Sequence, residues 1–200
     1  YYEKAPKDFI AKLNEYQMLE QFDFDINGLP RPVCNGPGSK LWNWSNLPQM
    51  GTGYSINVTP IHLLTFYNAI ANGGRMMKPY LVESIEQDGK VIEERGPVEL
   101  NGAICSPQTA AEVTKGLLAV TQEEKGTAHF RMKDCKLKVA GKTGTAFYTI
   151  PVSKGGNPKN PFEDLQGNRE RQCTFAGFFP ADDPQYTAII ALYTYRTKEH

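Results

Sequence analysis

Cysteine is scarce in this 200-residue chain: four residues, Cys34, Cys105, Cys135 and Cys173, none closer than 30 positions to another. The three histidines do not cluster beside them. A structural zinc site needs ligands that one local turn can gather, so this spacing argues against a metal role. Disulfides and four buried free thiols both remain open at this point. Charge of one sign is missing as well, with 22 Lys and Arg against 22 Asp and Glu. That balance removes the basic excess a nucleic-acid partner calls for. No hydrophobic run is long: Ala188–Tyr193 is among the longest, far short of the roughly 20 residues of a membrane-crossing helix. The chain opens without Met and without a basic-then-apolar leader, which leaves its compartment undecided. Internal repeats and low-complexity tracts are absent. With 40% hydrophobic residues, the chain can bury a core, so whole-chain disorder is excluded.

What is present reads as alternating helices and strands, an α+β pattern. Phe9, Leu13, Tyr16 and Leu19 recur at helical spacing and predict an amphipathic helix over Asp8–Leu19. Six prolines and glycines between Asn27 and Leu47 predict an irregular loop. Thr59 as cap and Pro60 as first residue predict a helix running to Gly73-Gly74. Strands are expected at Lys78–Ile85 and Lys90–Glu93 around Asp88-Gly89, a dipeptide that tight hairpins favour. Ser106-Pro107 starts another helix, to about Val120. Three strands close the chain, Leu137–Ala146, Cys173–Phe179 and Tyr186–Tyr195, the last two joined by a turn-rich link. The 26-residue connection Phe147–Gln172 carries six prolines and glycines. Loops beyond about 12–15 residues are commonly mobile or functional, so it is expected to be a surface loop or a flap beside a groove.

One tripeptide carries chemistry: Lys142-Thr143-Gly144, followed by Thr145-Ala146, at the head of that three-strand run. An edge strand offers free backbone groups along which an extended peptide can lie. Gly144 keeps the approach open. Lys142 supplies a positive charge, and Thr143 and Thr145 supply hydroxyl donors for a carboxylate. The Thr145 N–H suits one half of an oxyanion hole.

The neighbouring segments extend this pattern. Gly53-Tyr54, Val58-Thr59-Pro60, Asn68-Ala69-Ile70-Ala71-Asn72-Gly73-Gly74, Lys78-Pro79, Gly126-Thr127-Ala128 and Phe175-Ala176-Gly177-Phe178-Phe179-Pro180 occur in order between Gln49 and Tyr195. Together with the Lys-Thr-Gly strand they resemble the C-terminal part of the transpeptidase domain of class B penicillin-binding proteins, of the cell-division type. The resemblance implies a penicillin-binding-protein/β-lactamase-like fold and a single partial transpeptidase domain. Within it, residues 1–48 form a variable helix and loop, 49–135 helices and a small hairpin, and 136–200 the motif strand and those after it. It also implies serine acylation at the D-Ala-D-Ala end of peptidoglycan stem peptides, with no cofactor and with β-lactams as alternative ligands. Lys142, Thr143 and Gly144 would be its third motif, and Thr143, Thr145 and Ala146 would contact substrate. Division-machinery proteins are the expected partners, and the inner membrane of a bacterium, on its extracytoplasmic side, is the implied location.

The departures are as informative. The family acylates a serine in Ser-x-x-Lys, and none of Ser39, Ser45, Ser55, Ser84, Ser106 and Ser153 begins that pattern. Ser55-Ile56-Asn57 has the letters of the second motif, Ser-x-Asn, but lies inside the segment that follows that motif in relatives, so it reads as a decoy. The expectation is a fragment cut after its first two motifs and before its closing helix, inactive by itself and prone to self-association through Ile189, Ile190 and Leu192. The alternatives are a non-catalytic binding or scaffold module of the division machinery, and a β-lactamase or β-lactam sensor. Loss of muropeptide binding on Lys142→Ala marks a substrate groove rather than a scaffold; rapid nitrocefin turnover marks the lactamase.

Overall fold

The helical spacing near the N-terminus is realised in α1 (Lys4–Glu15), which stops four residues before the expected end. Gln17 adopts a left-handed φ of 56°, and the Met18 N–H turns back to the Leu13 carbonyl at 2.9 Å, closing the helix as a C-terminal cap does. The structure, a computed structural model, describes residues 4–25 and 27–196. Two compact units divide the chain, Tyr1–Glu112 and Val113–His200.

In the first unit the expected irregular loop holds a short strand, β1 (Val33–Cys34), and the start of a one-turn helix, α2 (Asn46–Met50). β1 pairs antiparallel with β2 (Ile56–Asn57). The proline-started helix is α3 (Pro60–Ala71). Thr59 does not cap it through a backbone N–H, because its hydroxyl is turned to His62 Nδ1 at 2.7 Å. Beyond the helix, Gly74 has a φ of +99°, and a side chain there would collide with the Cys105 carbonyl. That close approach brings together Ala69, Met76 and Ile104, with Tyr16, Phe66 and Leu100 packed around them. β3 (Met76–Met77) pairs with β6 (Glu99–Asn101).

The hairpin consists of β4 (Ser84–Gln87) and β5 (Lys90–Glu94). Asp88 and Gly89 both have positive φ, 52° and 74°, the backbone of a type I′ turn. The first strand begins six residues later than expected. The Leu81 and Val82 N–H groups donate instead to the Asp25 carboxylate, at 2.6 and 3.0 Å, so that stretch has no ladder to join.

The unit boundary falls within α4 (Pro107–Gln122). Here the cap is genuine, with the Thr109 N–H donating to Ser106 Oγ at 3.1 Å. In the second unit, α5 (His129–Met132) precedes β7 (Ala140–Phe147). β10 (Arg169–Phe179) and β11 (Tyr186–Arg196) complete a three-stranded antiparallel sheet in the order β11-β10-β7. The expected α+β class with its C-terminal three-stranded sheet is therefore what the chain adopts. β7 starts later than Leu137 because the Val139 carbonyl accepts from Thr121 Oγ1 at 2.6 Å and the Lys138 carbonyl from the Ala181 N–H at 2.8 Å. β10 starts earlier than Cys173 because β11 pairs with it over its full length.

The 147–172 connection is folded. It holds a 3-10 turn (Val152–Lys154) and the hairpin β8 (Gly156–Asn157) and β9 (Asn160–Asp164). The buried Asp164 carboxylate organises it, accepting from the Gln166 and Asn168 N–H groups at 2.9 and 2.7 Å and from Asn168 Nδ2 at 2.8 Å. All four cysteines are free thiols.

Candidate functional site

β7 is an edge strand, and among the described residues only β10 pairs with it. The register sets Lys142 opposite Ala176, Thr143 opposite Phe175, Gly144 opposite Thr174, Thr145 opposite Cys173 and Ala146 opposite Gln172. Successive side chains leave a strand on opposite faces. Thr143 and Thr145 therefore share a face with Phe175, Cys173, Ile190 and Leu192, while Lys142, Gly144 and Ala146 share the other with Ala176, Thr174 and Gln172. All five predicted residues meet at one free edge, although Lys142 leaves it on the face opposite the two threonines.

Each side chain has a definite setting. Lys142 is exposed and donates from Nζ to the Thr143 carbonyl at 2.8 Å. No carboxylate pairs with it among the described residues, so its charge is available to an incoming anion. Thr143 is half-buried and its Oγ1 lies 2.7 Å from Thr127 Oγ1. Thr145 is exposed and Ala146 half-buried. Glycine at 144 serves the sheet itself, since a side chain there would meet the Thr174 hydroxyl. Gly141 is hemmed in by backbone as well, with the Ala176 carbonyl 2.7 Å from where a Cβ would sit.

Beyond the motif, the Tyr148 hydroxyl donates to Gln172 Oε1 at 2.8 Å and its ring stacks on Tyr193 at 5.9 Å. Its phenol is pushed up to about 12, first by loss of hydration and then by Tyr193 and Glu170. It stays neutral through the physiological range and acts there as a hydrogen-bonding wall. Thr127 did not emerge from motif chemistry as a site residue; the only signal for it was its place in Gly126-Thr127-Ala128. Ser55, the decoy serine, accepts from Asn46 Nδ2 at 3.0 Å and donates to Gln49 Oε1 at 3.1 Å.

The first unit holds a cleft of 740 Å³ whose lining includes Phe24, Asp25, Lys78, Tyr80, Ile85 and Arg95. None of the predicted residues lines it. No group of three or more His, Cys, Asp or Glu side chains able to hold a metal ion occurs among the described residues.

Comparison with known proteins bears on the family and the fold. Residues 6–197 match the family model described as the penicillin binding protein transpeptidase domain. Penicillin-binding protein PbpB of Mycolicibacterium smegmatis is 29% identical over 193 residues, covering 88% of this chain and 27% of that protein. Penicillin-binding protein 2A of Bacillus subtilis is 30% identical over 146 residues, covering 68% of this chain and 19% of its own length. The chain thus spans about a quarter or less of these curated relatives. Among solved structures, penicillin-binding protein 3 of Mycobacterium tuberculosis complexed with ampicillin has a TM-score of 0.76 at 25% identity, covering 95% of this chain and 40% of that one. Penicillin-binding protein 2B of Streptococcus pneumoniae has the same TM-score, 0.76, at 21% identity, covering 98% of this chain and 30% of that one, a likeness of fold.

Proposed function

We propose a function from one premise: this chain belongs to the penicillin-binding protein transpeptidase-domain family. The protein that carries it is a peptidoglycan D,D-transpeptidase of the cell-division type, and residues 1–200 are part of a single transpeptidase domain. The nucleophilic serine and the lysine that activates it lie outside these residues, which contain no Ser-x-x-Lys. That serine attacks the carbonyl carbon of the D-Ala-D-Ala bond, the departing D-alanine takes up the proton, and an ester remains. The amine of a neighbouring stem peptide then attacks the ester, forming the cross-link and freeing the serine. A β-lactam acylates the same serine.

This chain supplies the wall that holds the substrate. The Thr143 hydroxyl binds the terminal carboxylate, Lys142 adds its positive charge at the strand edge from the opposite face, the Thr145 N–H donates to the developing oxyanion, and Thr145 and Ala146 run beside the peptide as an added strand would. The observation that supports this most is an exposed lysine without a carboxylate partner, next to two threonines, on a strand with one free side. The protein is anchored in the inner membrane by a segment outside these residues, with this portion on the extracytoplasmic side. No helix among the described residues is long and apolar enough to cross a membrane. Division-machinery proteins are its expected partners.

The test is covalent labelling by a fluorescent penicillin. The full-length protein takes up one label that survives denaturation, and Lys142→Ala slows labelling by roughly tenfold to a hundredfold, the range of a hydrogen bond to a charged group. The 200 residues alone stay unlabelled, and stoichiometric labelling of them overturns the proposal. A second property follows from β11, where Ile190 and Leu192 share one face and are 57% and 60% exposed, whereas Ile189, expected to be poorly covered with them, is half-buried. Such an apolar stripe favours association, so the isolated chain runs as an oligomer in size-exclusion chromatography.

A further inference from the structure

We infer that Thr127 is a positioning residue, whose hydroxyl fixes the direction in which Thr143 offers its proton to a bound carboxylate. This rests on the reading above that Thr143 meets the substrate carboxylate.

The two hydroxyl oxygens are 2.7 Å apart across 16 residues of sequence, and Thr127 is held by a closed turn at the end of α4. The Gly126 N–H donates to the Glu123 carbonyl at 2.8 Å, and the Ala128 N–H to the Val120 carbonyl at 3.0 Å. Any side chain at 126 would strike the Ala119 and Val120 carbonyls, so only glycine allows the turn to close here. The same helix end is tied to the start of β7 by the fully buried Thr121, whose hydroxyl reaches the Val139 carbonyl at 2.6 Å. Thr127 and Thr143 are thus held in reach of each other by contacts that neither of them makes.

The direction follows from proton count. A hydroxyl has one proton and two lone pairs, and an ionised carboxylate only accepts. When a carboxylate is bound, the Thr143 proton goes to it, so the proton between the two threonines must come from Thr127. Thr127 then donates to Thr143, which donates to the carboxylate, and hydrogen bonds in such a chain polarise one another. Without Thr127, the Thr143 hydroxyl loses this bias and its oxygen loses a donor at the moment it must donate.

The experiment measures the second-order acylation rate of the full-length protein by a fluorescent penicillin and by its methyl ester, which lacks the free carboxylate. Thr127→Val is expected to slow the free acid about tenfold, the scale of one hydrogen bond in a charged chain, and to leave the ester rate unchanged. Thr127→Ser, which restores the hydroxyl, stays within about twofold of the unaltered protein. Combined with Thr143→Val, Thr127→Val adds no further loss. Equal loss in the Val and Ser variants, equal slowing of acid and ester, or losses that multiply in the double variant each overturn the inference. If Thr143→Val leaves the acid rate unchanged, the reading of Thr143 itself falls and takes the inference with it. Should Thr127→Val not melt cooperatively, Thr127→Ala against Thr127→Ser provides the same contrast.

Discussion

The two units are pinned by buried polar groups of different chemistry. In Tyr1–Glu112 the pin is His62, 1% exposed and stacked on Phe22 at 4.3 Å. One ring nitrogen bonds to Thr59 Oγ1 at 2.7 Å and the other to the Glu20 carbonyl at 2.8 Å. In Val113–His200 the pin is Thr121, fully buried, joining α4 to the approach of β7. Both bond to main-chain carbonyls and both tie a helix to a distant segment, but only the first titrates. A carbonyl partner at Nε2 requires the proton there, so Nδ1 accepts from Thr59. Adding a second proton removes that acceptor and places a charge among apolar groups. Burial accordingly holds the His62 value below the ordinary 6.5, the Glu20 carbonyl opposing only in part. The first unit thus carries an acid-sensitive element, whereas the second has one that is indifferent to pH.

The largest effect that bears on this contrast comes from an apolar residue. Phe178 is 0% exposed, and Phe178→Ala is expected to cost about 3–5 kcal/mol, read as a fall in the urea midpoint of the second unit at every pH. His62→Ala strands the Thr59 hydroxyl and the Glu20 carbonyl and costs about 1–3 kcal/mol at neutral pH. The pH response of the unaltered chain sharpens the point. A base whose folded value is depressed contributes fully above its ordinary value. The His62 contribution to the first unit's stability is therefore flat above 6.5 and falls as pH drops below it toward the depressed value. His62→Gln removes that slope in melting-temperature measurements. Thr121→Val costs about 1–2 kcal/mol without any change in the pH profile; a new acid dependence in this variant would break the contrast.

The smallest effect is confined to the base of the β4–β5 hairpin. There the Leu81 and Val82 N–H groups, ahead of the Arg95 guanidinium, hold the Asp25 carboxyl below its ordinary 3.8. A depressed acid contributes above its ordinary value and loses that contribution as pH falls through its folded one. Amide exchange at Leu81 and Val82 should therefore accelerate only in strongly acidic solution, well below the window in which His62 acts. Acceleration near 6.5 would assign both responses to the histidine.

Much of the fold was legible where a few neighbouring residues settle the backbone. Pro60 set the start of α3, Ser106 the cap of α4, and Asp88-Gly89 the hairpin turn. The misses share a cause. Thr59 has the side chain of a cap, but a histidine three residues on competed for its hydroxyl. Lys78–Val82 has the residues of a strand, but Asp25, more than fifty positions earlier, took the Leu81 and Val82 N–H groups. The proline- and glycine-rich stretch 147–172 has the composition of a mobile loop, yet one buried carboxylate, Asp164, folds it. For the candidate site, Lys142, Thr143, Gly144, Thr145 and Ala146 were visible as a run because their strand carries them consecutively. Thr127 was visible only as part of a family pattern, since nothing local to it announces a partner 16 residues away.

The amino-acid order by itself determined the α+β class, the three closing strands, the Lys-Thr-Gly run and the absence of a Ser-x-x-Lys from these residues, because each depends on short-range periodicity, a turn dipeptide or the presence of a motif. Tertiary structure alone decided which hydroxyl faces Thr143, which carbonyl holds His62, and why position 144 excludes a side chain. Those outcomes depend on where segments 16, 42 and 30 residues apart come to rest, and hydrogen bonds and hard-sphere contacts act only over a few ångströms once the chain has brought the atoms together.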